Sequence, residues 1–154
     1  MKKLDRKTLR NRLDRLAQTY ARYKGATKVD GHWFNTCITC GQFLPVEKLQ
    51  GGHFIPRGCI ATRWEEIDIS AQCCRCNGFL DGNYIAYSKY MIDTYGIDTF
   101  NQLVETRKKF NRGEIRPFTI VEMRAMYNKW LIKGRELEER TGQNLFPKTW
   151  KEEE

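Results

Sequence analysis

No run of apolar residues approaches the roughly 18 needed to span a bilayer, so a membrane role is not expected. The opening Met1-Lys2-Lys3-Leu4-Asp5-Arg6 carries charge with no apolar segment behind it, which is not the pattern of a secretory signal. Internal repeats and low-complexity tracts are also missing, and with them the solenoid and linker classes. Acidic residues are the scarcer charge, 19 against 27 Lys and Arg. The resulting net charge of +8 favours a polyanionic partner, most simply nucleic acid, over a small-molecule substrate. Aromatics are not scarce: at 12% they supply a core and argue against wholesale disorder. The six cysteines, in a chain expected in a reducing cytoplasm, are better read as thiolates on a metal than as disulfides.

What the chain has is concentrated between residues 37 and 77. Cys37-Ile38-Thr39-Cys40 opens the stretch and Cys73-Cys74-Arg75-Cys76-Asn77 closes it. Two C-x-x-C pairs a few tens of residues apart have the spacing of one Cys₄ zinc site, structural because four protein ligands leave no open position. Cys37, Cys40, Cys73 and Cys76 are the expected ligands, with Cys59 and Cys74 unassigned. Between the pairs lies Gly51-Gly52-His53-Phe54. Phosphodiester hydrolysis needs an activated water and a cation to stabilise charge on the leaving oxygen. A histidine near neutral pKa suits the first task, and Mg²⁺ or Mn²⁺ on oxygen ligands suits the second. His53 is therefore the expected catalytic histidine. Asn77, held by its neighbour Cys76, offers an amide oxygen to the metal. Asp68 and Asp81 are the nearest carboxylates that could complete the shell, and the sequence does not choose between them. His32, beside Trp33 and Phe34, is assigned no role.

Around this centre the periodicity predicts helices. Leu9, Leu13, Leu16, Tyr20 and Tyr23 make an apolar stripe in a helix over 3–24, which packs on its own domain, serves as a dimer face or contacts phosphate. Gly25 ends it, and a loop is expected through Asp30-Gly31. Residues 43–49 read as a connector, 50–55 as a strand and 69–73 as a second strand running into the second knuckle. A helix carrying Tyr84, Tyr87 and Met91 stops at Gly96. The next is expected to be capped by Asp98, and a long one, opened by a capping box over Thr119–Glu122, runs to about Arg140. The acidic tail from Leu145 is expected to fray. Strand, loop, strand and helix at the knuckle is a ββα order. The expected fold is thus α+β: a small zinc-stabilised ββα-metal, HNH-like core (31–96) in a mainly helical chain, with an N-terminal amphipathic helix (1–30) and a C-terminal helical region (97–154).

The run Cys37-Ile-Thr-Cys-Gly, then Gly52-His53-Phe54, Arg63-Trp64-Glu65, Asp68-Ile69, Gln72-Cys73-x-x-Cys76-Asn77 and Gly82-Asn83 resembles the NinG/Rap recombination proteins of lambdoid phages. The likeness covers roughly residues 33 to 110. The pairing of a zinc knuckle with an asparagine is also similar to the endonuclease VII branch of the HNH superfamily. What this implies is a dimeric, divalent-metal-dependent endonuclease that cuts branched intermediates such as Holliday junctions and D-loops in the cytoplasm of a bacterial host. It implies His53 as catalytic histidine and Asn77 as metal ligand. The sequence departs from the HNH pattern in three places. Gly52 stands where an acidic or histidine ligand is common, Asp68 where an asparagine orients the histidine, and Asn77 where the terminal histidine falls. Asp81 has no clear equivalent. The competing expectations are a non-catalytic zinc-containing nucleic-acid-binding protein and a protein–protein adaptor.

Overall fold

The structure, a computed structural model, describes residues 3–154. The first helix, α1 (Arg6–Tyr23), starts where the Asp5 carboxylate accepts from the Thr8 N–H at 2.8 Å. Its stripe of Leu9, Leu13 and Leu16 is fully buried, packed within the chain against α4 (Ile120–Thr141) and the core residues Tyr127, Trp130 and Leu131. Thr119 and Glu122 form the expected capping box at the start of α4.

Gly134 lies at the crossing of these helices. A Cβ there would meet Leu16 Cδ2 at 2.8 Å and the Phe146 ring at 2.9 Å. Gly134→Ala is therefore expected to lower stability. Overpacking costs about 1–3 kcal/mol, and about 1 kcal/mol of helix propensity is recovered. Urea denaturation checks this, and a raised midpoint would contradict the packing described.

Two small antiparallel sheets lie between the helices. The first contains β1 (Thr27–Val29), β2 (His32–Thr36) and β3 (Phe43–Pro45), where the sequence reading has a loop and a connector. Its first hairpin exists because Asp30 (φ 47°) and Gly31 (φ 82°) both take the left-handed conformation, which a two-residue turn between Val29 and His32 requires. His32 is exposed at the start of β2. The second sheet pairs β4 (Leu49–His53) with β5 (Ile69–Cys73), aligning Gln50 with Gln72 and His53 with Ile69. β5 is as expected and buried throughout; β4 starts and ends slightly earlier than the expected 50–55.

The hairpin of α2 (Tyr84–Tyr95) and α3 (Ile97–Asn111) packs its Tyr87, Met91 and Leu103 around Phe54, just past the end of β4. Asp98 does not cap α3; it sits within the first turn, and Gly96 holds the cap position without a side-chain bond. The tail is also not frayed. The Glu138 carboxylate accepts from the N–H groups of Leu145 and Phe146 at 2.7 and 2.9 Å, Phe146 is buried, and Trp150 stacks on it. Glu153 closes back onto Asn128 and Leu4. The tail's polar composition reveals neither the bonds to Glu138 nor those linking Glu153 to the distant Asn128 and Leu4. Among the described residues, no helix is long and apolar enough to cross a membrane.

Candidate functional site

The loop joining β2 to β3 carries the first cysteine pair as a tight knuckle, with the Cys37 N–H donating to Gln42 O and the Gly41 N–H to Cys37 O, both at 2.9 Å. The second pair begins at the last residue of β5 and continues into a single π-turn, Arg75–Phe79, closed by the Leu80 N–H on Arg75 O at 2.9 Å. The Ile38 N–H donates to Ala71 O at 3.0 Å and docks one knuckle against the other. The sulfurs of Cys37, Cys40, Cys73 and Cys76 consequently lie within 4.8 Å of one another and can hold one metal ion such as zinc. Burial opposes ionisation of Cys37, but the Thr39 hydroxyl and the backbone N–H groups of Cys73, Cys40 and Thr39 outweigh it and bring the thiol down to about 6. Cys59 and Cys74 lie outside the cluster, the first buried near Phe54 and the second exposed.

From this cluster the chain builds one wall of a cleft of about 550 Å³. His53, Asn77 and Asp81 all line it, with Arg22, Gln50 and Arg57. Asn77 lies within the π-turn directly after Cys76, and its Nδ2 donates to Gln50 Oε1 at 2.7 Å. That bond fixes the amide and leaves the Oδ1 lone pairs for another partner. Asp81 sits in a tight turn in which Asp81, Gly82 and Asn83 all have positive φ. The Asn83 amide is tied to Cys76 Sγ at 3.5 Å, and Gly82 O accepts from the buried Gln72 Nε2 at 2.8 Å. The cysteine cluster thus governs the placement of both Asn77 and Asp81.

Gln72 also explains Gly52. A Cβ at position 52 would lie 1.9 Å from Gln72 Oε1, so any side chain there would have to displace the buried Gln72 amide.

His53 ends β4 half-buried. Its Nε2 is 2.9 Å from the carbonyl of Arg63, which can only accept, so in the neutral ring Nε2 carries the proton and Nδ1 is the basic nitrogen. The histidine is oriented by this carbonyl and not by Asp68. Burial, assisted by the charges of Arg57 and Arg63, holds the ring below the usual 6.5; the Arg63 carbonyl and Asp14 oppose the shift without overcoming it. His53 is accordingly neutral at pH 7.

Asp68 is not brought to the cleft. Its carboxyl is fully buried behind the sheet, with Oδ1 accepting from the Ile55 N–H at 2.7 Å. Its own carbonyl accepts from the Phe54 N–H at 2.8 Å, so Asp68 pins the chain just beyond His53. Burial pushes the Asp68 carboxyl up to about 8, helped slightly by the nearby Glu65 and opposed by Ile55 and Thr62. A folded-state pKa above the unfolded value means that the folded chain holds the extra proton between about 4 and about 8. Stability should therefore fall as pH rises through that window, and level off above it. Asp68→Asn keeps the acceptor for Ile55 and should flatten melting temperatures between pH 6.5 and 9. A wild-type slope that persists in the variant would contradict this assignment.

The sequence reading did not single out Gln50, Arg22 or Arg57 as cleft residues, nor the partner of Arg63. Asp14, on α1, accepts from Arg63 Nε at 2.9 Å and Nη2 at 2.6 Å, and from Trp64 Nε1 at 2.8 Å. Nothing in local sequence signals a contact between residues so far apart.

Fold and site together define a small mixed α/β protein built around a four-cysteine cluster able to hold a metal, beside a basic cleft. A family model described as bacteriophage lambda NinG protein matches residues 1–139, so the chain belongs to the NinG family. No curated protein and no solved structure matches it.

Proposed function

We propose that the protein is an HNH-type, metal-dependent endonuclease that cuts branched DNA, such as Holliday junctions and D-loops, during phage recombination. The observation that carries this reading is the convergence of His53, Asn77 and Asp81 on one cleft flanked by Arg22 and Arg57. The order β4, loop, β5 and π-turn supports an HNH-like ββα core, with the cysteines holding zinc as a scaffold.

In this reading His53 Nδ1 takes the proton from the attacking water, since Nε2 is committed to the Arg63 carbonyl. The guanidinium groups of Arg57 and Arg22 draw the phosphate into the cleft. Asn77 Oδ1 and the Asp81 carboxylate are hard oxygen donors suited to Mg²⁺ or Mn²⁺, either of which keeps several waters when so few protein groups bind it. Such a cation, when bound, stabilises negative charge on the leaving oxygen. Asp68, buried and already bonded, acts in this reading through the backbone it pins. Residues 31–96 carry the chemistry, and 1–30 and 97–154 support it. A homodimer would present two such clefts across a junction, giving paired incisions in the host cytoplasm.

The test is cleavage of a labelled four-way junction beside linear duplex of the same sequence, in Mg²⁺ and in Mn²⁺. Symmetric nicks on the junction alone are expected. Tight binding without cutting, by zinc-loaded protein, would instead make it a non-catalytic zinc-containing nucleic-acid-binding protein.

A further inference from the structure

We infer that Asp14, in the middle of the N-terminal helix, is a positioning residue for the cleft, fixing His53 through the loop 54–68. The inference rests on the proposed nuclease reading for its consequence, but not for its geometry.

α1 can reach the loop because Gly51 lets it lie directly on β4; a Cβ at Gly51 would be 2.8 Å from Gln18 Cα. One turn before Gln18, the Asp14 carboxylate meets Arg63 with two guanidinium nitrogens on its two oxygens, a bidentate pair, and the Trp64 indole besides. Arg57 Nη2 adds a longer contact of 3.3 Å from the cleft side. The same Arg63 guanidinium donates through Nη1 to Arg57 O at 3.1 Å, so it spans the loop from 57 to 63. Farther on, Trp64 O accepts from Trp130 Nε1 at 3.1 Å, anchoring the loop to α4 as well. The backbone that all these bonds immobilise carries the carbonyl that holds His53 Nε2.

Stability alone does not account for such an arrangement. A largely buried ion pair can be exchanged for apolar packing with little loss of stability. The helix face around it is apolar, with Leu9, Leu13, Leu16 and Ala17 all buried. What a bidentate carboxylate–guanidinium pair supplies and an apolar pair does not is direction. Here the direction is that of a carbonyl aimed at the ring which must keep Nδ1 free. A positional error of about 1 Å in a catalytic group can cost on the order of 100-fold in rate.

The test compares zinc-loaded wild type with Asp14→Asn, and with Arg63→Lys in case the first does not fold. The readout is the ¹⁵N shifts of the His53 ring at pH 8, which distinguish the two neutral tautomers. The chain has only two histidines, so His32→Ala assigns the signals. Wild type is expected to show a single tautomer protonated on Nε2. The folded variants are expected to show averaged shifts of mixed tautomers and a fall in kcat of about 10- to 100-fold on a four-way junction. A folded variant that keeps the single Nε2–H tautomer overturns the inference, whatever its rate. Averaged shifts, in a protein whose wild type cuts no DNA, would uphold the positioning role and overturn the nuclease reading instead.

Discussion

Cys73→Ser is expected to remove the bound metal and unfold the centre of the protein. The cluster joins the β2–β3 loop to the end of β5, and the apolar residues beside the cysteines are few: Leu49, Ala71 and the half-buried Leu44. That is too little apolar area to hold the two knuckles together. Four sulfurs within 4.8 Å cannot all ionise without a cation between them, and one neutral hydroxyl in place of a thiolate breaks the tetrahedron. Structural zinc contributes about 10–16 kcal/mol in small zinc-binding peptides, as much as the entire stability of a typical domain. Because Asn77 and Asp81 hang from Cys76 and its bonded neighbour Asn83, the cleft should be lost with the cluster. Metal content by atomic emission and thermal melting check this. Wild type should carry one zinc per chain and melt far lower after a strong chelator. Cys74→Ser, exposed and outside the cluster, should match wild type. Full zinc content and an unchanged melt in Cys73→Ser would contradict the site.

His53→Ala is expected to lower the cleavage rate by about 10²- to 10⁴-fold, the range a positioned general base contributes, while junction binding persists. Binding should survive because the cleft's charge comes from Arg22 and Arg57, and neutral His53 adds none. The same reading sets a pH dependence. A base must be unprotonated, and burial with two nearby guanidinium groups holds His53 below 6.5. The rate should therefore rise with pH through a pKa below 6.5 and be flat from there to neutrality. An acid limb centred above 6.5 would mean that another group supplies the base.

Much of this was legible in local pattern. The four cysteines, the strand Ile69–Cys73, the Leu stripe of α1 and the capping box of α4 are each read from a few neighbouring residues, and the structure has them as expected. The hairpin at Asp30-Gly31 is legible too, since an Asp-Gly pair between strand-forming residues is a turn signal, although the expectation there is a loop. The rest depends on distant contacts. Asp68 and Asp81 are equivalent as letters. One is buried because the chain after β4 folds over it, and the other is exposed in a turn tied to Cys76 and Gln72. The partner of His53 is a backbone carbonyl, which no side-chain pattern encodes. The ordered tail is held by Glu138, within α4, and by its own Phe146 and Glu153, which reach the core and Asn128.

The most direct measurement is single-turnover cleavage of a labelled four-way junction in Mg²⁺ by zinc-loaded wild type and His53→Ala, each at saturating protein with binding verified by anisotropy. Wild type is expected to cut, and the variant to cut about 10²- to 10⁴-fold more slowly, with equal fractions bound. Equal cutting by both proteins, or bound junction left intact by wild type, would contradict the nuclease reading.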